Sequence, residues 1–252
     1  MIDNFKVFLF TIAVSFSCLL GYGIIANAWW QFIPSTVLII LITRIFYPES
    51  WKELLGLKGN IKECARGVLL VFLLGGVSYL AITYSLPAPY QLVFRSYLDL
   101  ACVPFQSLNE EFLFRSLLLG SLIRIGVMRW KIIFFPALIF SFSHWIFYYF
   151  NDLPINNGVV DYSALGTLFL FGITANLLFL QTRSIILPWT LHCAWNLNRF
   201  GGRIIDSSNP SLRTPEFLTF NLLEGSTPVF FLAVIVTFLS IYYISRCKHL
   251  DQ

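Results

Sequence analysis

Long apolar stretches recur along the chain and are separated by short polar segments. A helix needs about 20 mostly apolar residues to cross the ~30 Å hydrocarbon core of a bilayer. By this criterion the candidate spans cover approximately residues 6–27, 31–47, 67–87, 99–122, 131–150, 164–182, 184–200 and 227–246. The pattern predicts an all-α polytopic membrane protein with about eight transmembrane helices in one bundle. No internal repeat or low-complexity linker divides the sequence, so we expect residues 1–252 to form a single integral-membrane domain.

The segment between the second and third spans, residues 48–66, has a different pattern. Apolar residues such as Trp51, Leu54 and Leu57 alternate there with lysines and glutamates. This mixture is typical of an amphipathic helix that lies on a membrane surface. An ordinary solvated connector has the same composition, so both interpretations stay open.

Composition supports lipid as the solvent of this chain. Hydrophobic residues make up 57% of the sequence, charged residues make up 12%, and the mean hydropathy is +0.74. A water-soluble domain has about 25% charged residues, because it must cover its surface with them. The formal net charge of +4 is small and spread over the loops, which argues against a nucleic-acid partner.

The distribution of basic residues predicts the orientation. Most of the 17 lysines and arginines fall in the segments that precede the odd-numbered spans or follow the even-numbered ones. Cytoplasmic loops of membrane proteins are enriched in these residues. We therefore expect a multi-pass protein of a bacterial inner membrane with both termini in the cytoplasm.

Three short motifs place ionisable or amide side chains inside the apolar spans. Such residues are unfavourable in hydrocarbon and usually face a protein interior or a wet cavity, which makes them functional-site candidates. They are Glu110, Glu111 and Arg115 in the fourth span, His144 in the fifth, and His192 and Asn196 in the seventh.

The first motif carries two adjacent carboxylates. Glu111 and Arg115 are four residues apart and share one helix face, so an ion pair between them is expected. Glu110 points in another direction, which leaves its carboxylate available as a general base for water. A charged cluster that only joins helices is the structural alternative, although two consecutive glutamates exceed what helix packing requires.

The other two motifs have the same four-residue spacing. His192 and Asn196 share a helix face, and an imidazole beside a carboxamide can donate two hydrogen bonds to one oxygen, as an oxyanion hole requires. His144 shares a face with Phe140. Taken alone, each motif also fits a hydrogen-bonded packing residue or an interhelical polar clamp. At about 1.5 Å of rise per residue, Glu110 and these polar residues all fall in the outer half of the bilayer, which favours one joint hydrolytic site.

The five cysteines show neither CxxC nor metal-type spacing and are most simply small apolar residues. Cys193 is adjacent to His192, which suggests a nucleophile beside a base. Successive helical residues point about 100° apart, however, so we do not assign this role to Cys193.

The motifs EExxxR at Glu110 to Arg115, FxxxH at Phe140 to His144 and HxxxN at His192 to Asn196 occur in this order on successive spans. Together they resemble the CPBP family of CAAX proteases and bacteriocin-processing enzymes, also labelled Abi. The resemblance covers about residues 99–200, the motif-bearing core, and does not extend to the first two spans or to the tail after residue 200.

The resemblance implies an intramembrane glutamic endopeptidase with an eight-helix core and with neither metal nor cofactor. Glu110 together with His144 would activate the attacking water, and His192 and Asn196 would stabilise the oxyanion. Arg115 would orient Glu111. The expected partners are the lipid bilayer and a membrane-associated protein or peptide, for example an exported protein cleaved at a C-terminal sorting tag.

Two other classes of protein fit part of the sequence. Two histidines and a glutamate could bind zinc in a metal-dependent membrane hydrolase, but the chain lacks HExxH and Arg115 would oppose a cation. A transporter or a non-enzymatic scaffold of the same fold is the second alternative. Transporters often contain inverted repeats, and a scaffold would tolerate loss of the motif residues, all of which are present here.

Overall fold

The computed structural model describes residues 32–86, 88–94, 97–150, 162–199 and 202–206, together with residues 208, 235, 236 and 239. The predicted first span lies outside the described residues, as does nearly all of the predicted last span. The fold therefore concerns the second to seventh predicted spans and the segments that join them.

Helices dominate this part of the chain, as expected for an all-α membrane protein. In chain order the elements are α1 (Phe32–Phe46), α2 (Trp51–Leu54), α3 (Ile61–Ser85), β1 (Tyr90–Phe94), α4 (Tyr97–Glu111), a π-helical segment named π1 (Phe112–Leu119), α5 (Gly120–Arg124), α6 (Arg129–Phe150), α7 (Tyr162–Thr182), α8 (Ile186–Arg199) and β2 (Gly202–Asp206).

The helices follow the predicted spans closely, with two differences. The third helix begins at Ile61, several residues before the expected 67, and the fourth span is divided into α4, π1 and α5. Within the described residues one stretch, Ala164–Thr182 in α7, is long and apolar enough to cross a membrane, and 67% of it is buried in the protein. Ile33–Phe46 in α1 is apolar but shorter. The total of eight spans thus stays a prediction.

Two helix pairs show how the chain alternates in direction. Helices α3 and α8 run parallel: a Cβ placed on Gly67 would lie 2.7 Å from Thr190, and one on Gly75 would lie 3.9 Å from Leu197. They correspond to the third and seventh predicted spans, which cross a membrane in the same direction if each intervening span reverses it. The close approach at Gly67 leaves no room for a side chain.

Helices α6 and α7 run antiparallel. The Asn176 amide donates to the Ile133 carbonyl at 2.7 Å, and the Ser141 hydroxyl donates to the Leu165 carbonyl at 2.8 Å. Between these bonds the helices touch so closely that a Cβ on Gly172 would lie 2.9 Å from the Cα of Ala137. These contacts hold α6, and with it His144, against α7.

The segment around α2 is docked against the bundle. Leu55 is fully buried, and its carbonyl accepts a hydrogen bond from the Ser116 hydroxyl of π1 at 3.0 Å. Gly56, in the left-handed region at φ +66°, accepts a bond from the Ile185 amide at 2.9 Å. The polar side of the segment is exposed and carries the Lys58–Glu53 ion pair. It is thus amphipathic, but it is helical over only a few residues and is anchored by its backbone.

A two-stranded antiparallel ribbon, β1 with β2, was not predicted from the sequence. Tyr90 pairs with Asp206 and Phe94 with Gly202 at its two ends. Because β1 precedes α4 and β2 follows α8, the ribbon joins the ends of these two helices. Leu92 in the ribbon is buried and packs on Trp195 of α8. The ribbon is thereby connected to the helix that carries His192 and Asn196.

Candidate active site

The residues singled out in the sequence come together between four elements. Glu110 and Glu111 end α4, Arg115 lies in π1, His144 lies in α6, and His192 lies in α8. Asn196 lies one turn beyond His192, bonded to α4 at Ser107. The residues of α4 and π1 are far in sequence from His144, and both are far from His192 and Asn196, so the site depends on the packing of the helices.

The helix changes form directly after the two glutamates. From Phe112 to Leu119 it is π-helical, and the Gly120 amide donates to the Arg115 carbonyl, five residues earlier. Every residue of π1 is buried. Short π-helical stretches within α-helices occur frequently at functional sites. Here the stretch begins directly after Glu111 and contains Arg115, so its geometry determines the position of Arg115 relative to Glu111.

Glu111 and Arg115 form the ion pair expected from their spacing. Nη1 of Arg115 lies 3.1 Å from Oε1 of Glu111, and both side chains are completely buried. Breaking such a pair by removing one partner would leave an uncompensated buried charge, which is strongly destabilising. The pair therefore fixes a carboxylate in the interior of the protein.

His192 lies between the two glutamates. Its Nδ1 is 2.8 Å from Oε1 of Glu111, and its Nε2 is 3.7 Å from Oε2 of Glu110. The expectation that Glu110 points away from Glu111 is thus only partly right. The two carboxylates have different nearest partners, Arg115 for Glu111 and His144 for Glu110, but the two nitrogens of the His192 ring each face one of them.

His144 approaches Glu110 from α6. Its Nε2 lies 3.5 Å from Oε2 of Glu110, and its Nδ1 lies 2.8 Å from the backbone carbonyl of Phe140. The side chains of Glu110 and His144 are 12% and 14% exposed, whereas Glu111 and Arg115 are completely buried. The site therefore has a dry inner part at Glu111 and a more accessible outer part at Glu110.

Ser107 belongs to the site and was not predicted. It is completely buried, and its Oγ accepts a hydrogen bond from Nδ2 of Asn196 at 3.2 Å. Its position one helical turn before Glu111 is the sequence signal that could have identified it. Cys193 lies next to His192 and is buried, and its thiol also interacts with Ser107.

Aromatic rings line the inner part of the site. Phe140 of α6 and Phe171 of α7 lie 5.9 and 5.0 Å from the His192 ring, centroid to centroid. Phe171 also contacts Trp195, whose other side faces the ribbon. Helix α7 carries none of the sequence motifs, so Phe171 was missed. Its place in the site becomes visible only when α7 is packed against α6 and α8.

Two carboxylate oxygens of the site form no hydrogen bond within the described part of the chain. Oε2 of Glu110 and Oε2 of Glu111 are buried and have no hydrogen-bond partner among the described residues. Within the same residues, no group of three or more histidine, cysteine, aspartate or glutamate side chains is arranged to hold a metal ion. The polar atoms that surround Glu110 are the nitrogens of two histidines, which suits an arrangement for moving protons.

Fold and site together define a helical bundle with a carboxylate and histidine cluster in an apolar interior. Residues 92–198 match the protein family described as type II CAAX prenyl endopeptidase Rce1-like. The chain therefore carries an Rce1-like domain of the CPBP family over these residues, and the family predicted from the motifs is confirmed. No curated protein and no solved structure matches the chain.

The matched range begins in β1 and ends in α8, so it contains every motif residue and the last three residues of β1, whereas β2 follows it. The family consists of integral-membrane CAAX-type peptidases that act on membrane-associated protein substrates. Family membership thus supports a membrane endopeptidase. It gives no support to a transporter, a scaffold or a zinc hydrolase.

Proposed function

We propose that this protein is an intramembrane glutamic endopeptidase that cleaves near the terminus of a membrane-associated protein or peptide. The observation that carries the proposal is the position of Glu110. Its Oε2 lies 3.5 Å from Nε2 of His144 and 3.7 Å from Nε2 of His192. A largely buried carboxylate between two imidazoles can exchange protons with either ring, and hydrolysis by an activated water requires such proton transfers.

His144 is suited to bind the attacking water and accept a hydrogen bond from it. The Phe140 carbonyl can only accept a hydrogen bond, so Nδ1 of His144 carries the proton of that contact. In the neutral ring Nε2 is then an acceptor, and it faces the carboxylate oxygen of Glu110. Two acceptors at 3.5 Å repel each other unless a proton or a water lies against both. We assign this position to the nucleophilic water.

His192 is suited to stabilise negative charge. Oε1 of Glu111 is paired with Arg115 and accepts from Nδ1 of His192. To donate from Nε2 as well, His192 must be an imidazolium. Asn196 supplies a second donor, because its bond to Ser107 uses only one of the two amide hydrogens.

The reaction follows from these roles. The water oxygen attacks the peptide carbonyl carbon while one water proton passes to the Glu110 carboxylate, and Nε2 of His144 accepts a hydrogen bond from the same water. The carbonyl oxygen becomes an oxyanion that His192 and Asn196 stabilise. When the tetrahedral intermediate collapses, the C–N bond breaks and the amine leaves with the proton that the base had taken. Glu111 and Arg115 stay fixed and keep His192 oriented throughout.

The substrate we propose is an exported protein with a hydrophobic C-terminal tag. Both termini are assigned to the cytoplasm of a bacterial inner membrane from the distribution of basic residues, and the motif residues then lie in the outer half of the bilayer. The parallel course of α3 and α8 supports the alternation on which this topology rests. A translocated protein held by an apolar tail arrives at that side.

A comparison of membrane proteomes tests the function. Cells producing the parental protein are compared with cells producing Glu110→Gln, and protein termini are quantified by mass spectrometry. We expect at least one terminus that depends on Glu110, because loss of the base removes about 10²-fold or more of the rate. Glu53→Gln, a change at an exposed carboxylate of the α2 segment, is the matched control. Identical termini in all three strains would refute the proposal.

A further inference from the structure

Arg115 is completely buried, yet its hydrogen-bonding groups are not satisfied in the ordinary way. Nε, Nη1 and Nη2 all lack a hydrogen-bond partner within the described part of the chain. The contact with Glu111 is an ion pair at 3.1 Å whose geometry does not complete a hydrogen bond. A guanidinium has five donors, and buried charges are normally both paired and hydrogen-bonded. Some other interaction must stabilise this cation.

Aromatic rings occupy the positions where oxygen acceptors would be expected. The guanidinium carbon of Arg115 lies 4.6 Å from the ring centre of Phe140, 5.8 Å from that of Phe171 and 6.0 Å from that of Phe114. All three distances are within the range of a cation–π interaction, which strengthens when the cation is desolvated. The three rings are at most 5% exposed.

The rings also support one another. Phe114 and Phe140 meet edge to face, with centroids 5.1 Å apart and planes at 90°. Phe140 and Phe171 lie 5.8 Å apart. Because they belong to π1, α6 and α7, they converge on Arg115 from three different elements. We propose that Phe114, Phe140 and Phe171 form an aromatic cage that holds Arg115 as a cation and thereby positions the catalytic histidines.

The cage reaches the histidines by two routes. Through the ion pair of Arg115 with Glu111 it holds the Glu111 side chain in place, and Glu111 accepts the Nδ1–H of His192. Directly, Phe140 packs on the His144 ring at 4.5 Å, and Phe171 packs on the His192 ring at 5.0 Å. Phe140 and Phe171 are thus positioning residues, since they touch the groups that act on the substrate and not the reacting atoms. This inference rests on the proposed function of the same site.

Fluorinated phenylalanines distinguish a cation–π role from simple packing. Mono-, di- and trifluorophenylalanine are placed at position 140 of the full-length protein by nonsense suppression, because each added fluorine weakens the negative face of the ring while nearly keeping its size. We expect kcat for a peptide spanning the terminus found by proteomics to fall stepwise, to about one tenth with three fluorines, a fall in the range of cation–π strength. The same series at Phe171 should fall less, because that ring is farther from the cation.

Phe179 provides the matched control on the same helix as Phe171. It is equally buried, but it packs against Gly56 at the other end of the bundle. The fluorinated series at Phe179 should leave kcat unchanged. A flat series at position 140, together with loss of activity in Phe140→Leu, would mean that the ring only fills space and would overturn the cage.

A second readout separates this inference from the proposed function. In protein labelled with ¹⁵N-histidine and reconstituted in lipid, the ¹⁵N shift of His192 Nδ1 reports its bond to Glu111 without any substrate. We expect this shift to move stepwise with fluorination at position 140 and to stay constant with fluorination at position 179. Stepwise movement in a protein that cleaves nothing would support the cage and refute the peptidase. Constant shifts in a protein that does cleave its substrate would refute the cage and leave the peptidase supported.

Discussion

Nδ1 of His192 lies 2.8 Å from Oε1 of Glu111 in the buried interior, although the two residues are 81 positions apart in the sequence. The same carboxylate oxygen is 3.1 Å from Nη1 of Arg115. One oxygen atom therefore joins α4, π1 and α8. This shared atom makes the orientation of His192 depend on an ion pair that is completely buried.

The first prediction concerns that ion pair. Arg115→Met leaves Glu111 unpaired in the interior and should lower the free energy of unfolding by about 3–5 kcal/mol. The double variant Arg115→Met with Glu111→Gln removes both charges and should be more stable than Arg115→Met alone. The free energies of unfolding of the two single variants and of the double variant are measured in mixed micelles with increasing denaturing detergent. If the losses from Arg115→Met and Glu111→Gln simply add up in the double variant, the two charges do not interact.

The second prediction concerns the protonation of the histidines. The chain has only three histidines, so ¹⁵N-histidine spectra of the lipid-reconstituted protein are simple, and His144→Gln and His192→Gln assign them. We expect His144 to carry its proton on Nδ1 and not on Nε2, because Nδ1 donates to the Phe140 carbonyl. Nδ1 of His192 should also carry a proton, because it donates to Oε1 of Glu111. A His192 without a proton on Nδ1 would contradict its orientation by Glu111.

Local spacing was sufficient to predict part of this site. The pair of Glu111 and Arg115 follows from a separation of four residues on one helix, and the pair forms. The contacts of His192 with both glutamates could not be derived in this way. They depend on how α8 packs against α4, and no periodicity within either helix records that packing.

The ribbon and π1 were missed for different physical reasons. Each strand is only five residues long, so a search for long apolar runs assigns it to a loop. The π-helical turn shifts backbone hydrogen bonds without changing which residues are apolar, so hydropathy does not detect it. Ser107 and Phe171 were missed because their roles come from neighbours on other helices.

The third prediction tests Ser107. Removing an oxyanion donor in Asn196→Ala should lower kcat by about 10²-fold or more. Ser107→Ala should have a smaller effect of about tenfold, since it leaves the Asn196 amide in place but less well oriented. KM should change little in both variants. Ser116→Ala, which removes another buried hydroxyl bonded to Leu55, is the control, and an equal loss of kcat there would exclude a specific role for Ser107.

The fourth prediction is that activity does not require a metal ion. A water activated by Glu110 and His144 needs no Lewis acid, and the Arg115 guanidinium beside Glu111 opposes the binding of a cation. Purified protein should therefore keep its full rate after exhaustive treatment with a chelator. If activity were lost and only zinc restored it, the glutamic mechanism would have to be abandoned in favour of a zinc hydrolase.

The last prediction concerns the side of the membrane at which the substrate enters. Of the two histidines that face Glu110, His144 lies in the last third of α6 and His192 at the middle of α8, and β2 follows α8 closely. The ribbon therefore marks the end of the bundle nearest the accessible part of the site. If both termini are cytoplasmic, this end faces outward, and a tail from a translocated protein reaches Glu110 without crossing the midplane.

Cysteine labelling decides this topology. After replacement of the native cysteines, single-cysteine variants are made at Gln91 and Ser208, which are exposed at the ribbon end, and at Met128, which is exposed in the turn between α5 and α6. A membrane-impermeant maleimide should label the first two in intact cells and Met128 only after permeabilisation. The opposite result would place the ribbon in the cytoplasm. The substrate would then be a cytosolic protein with a lipid-attached or apolar tail, because only such a chain could reach the open end of the site from that side.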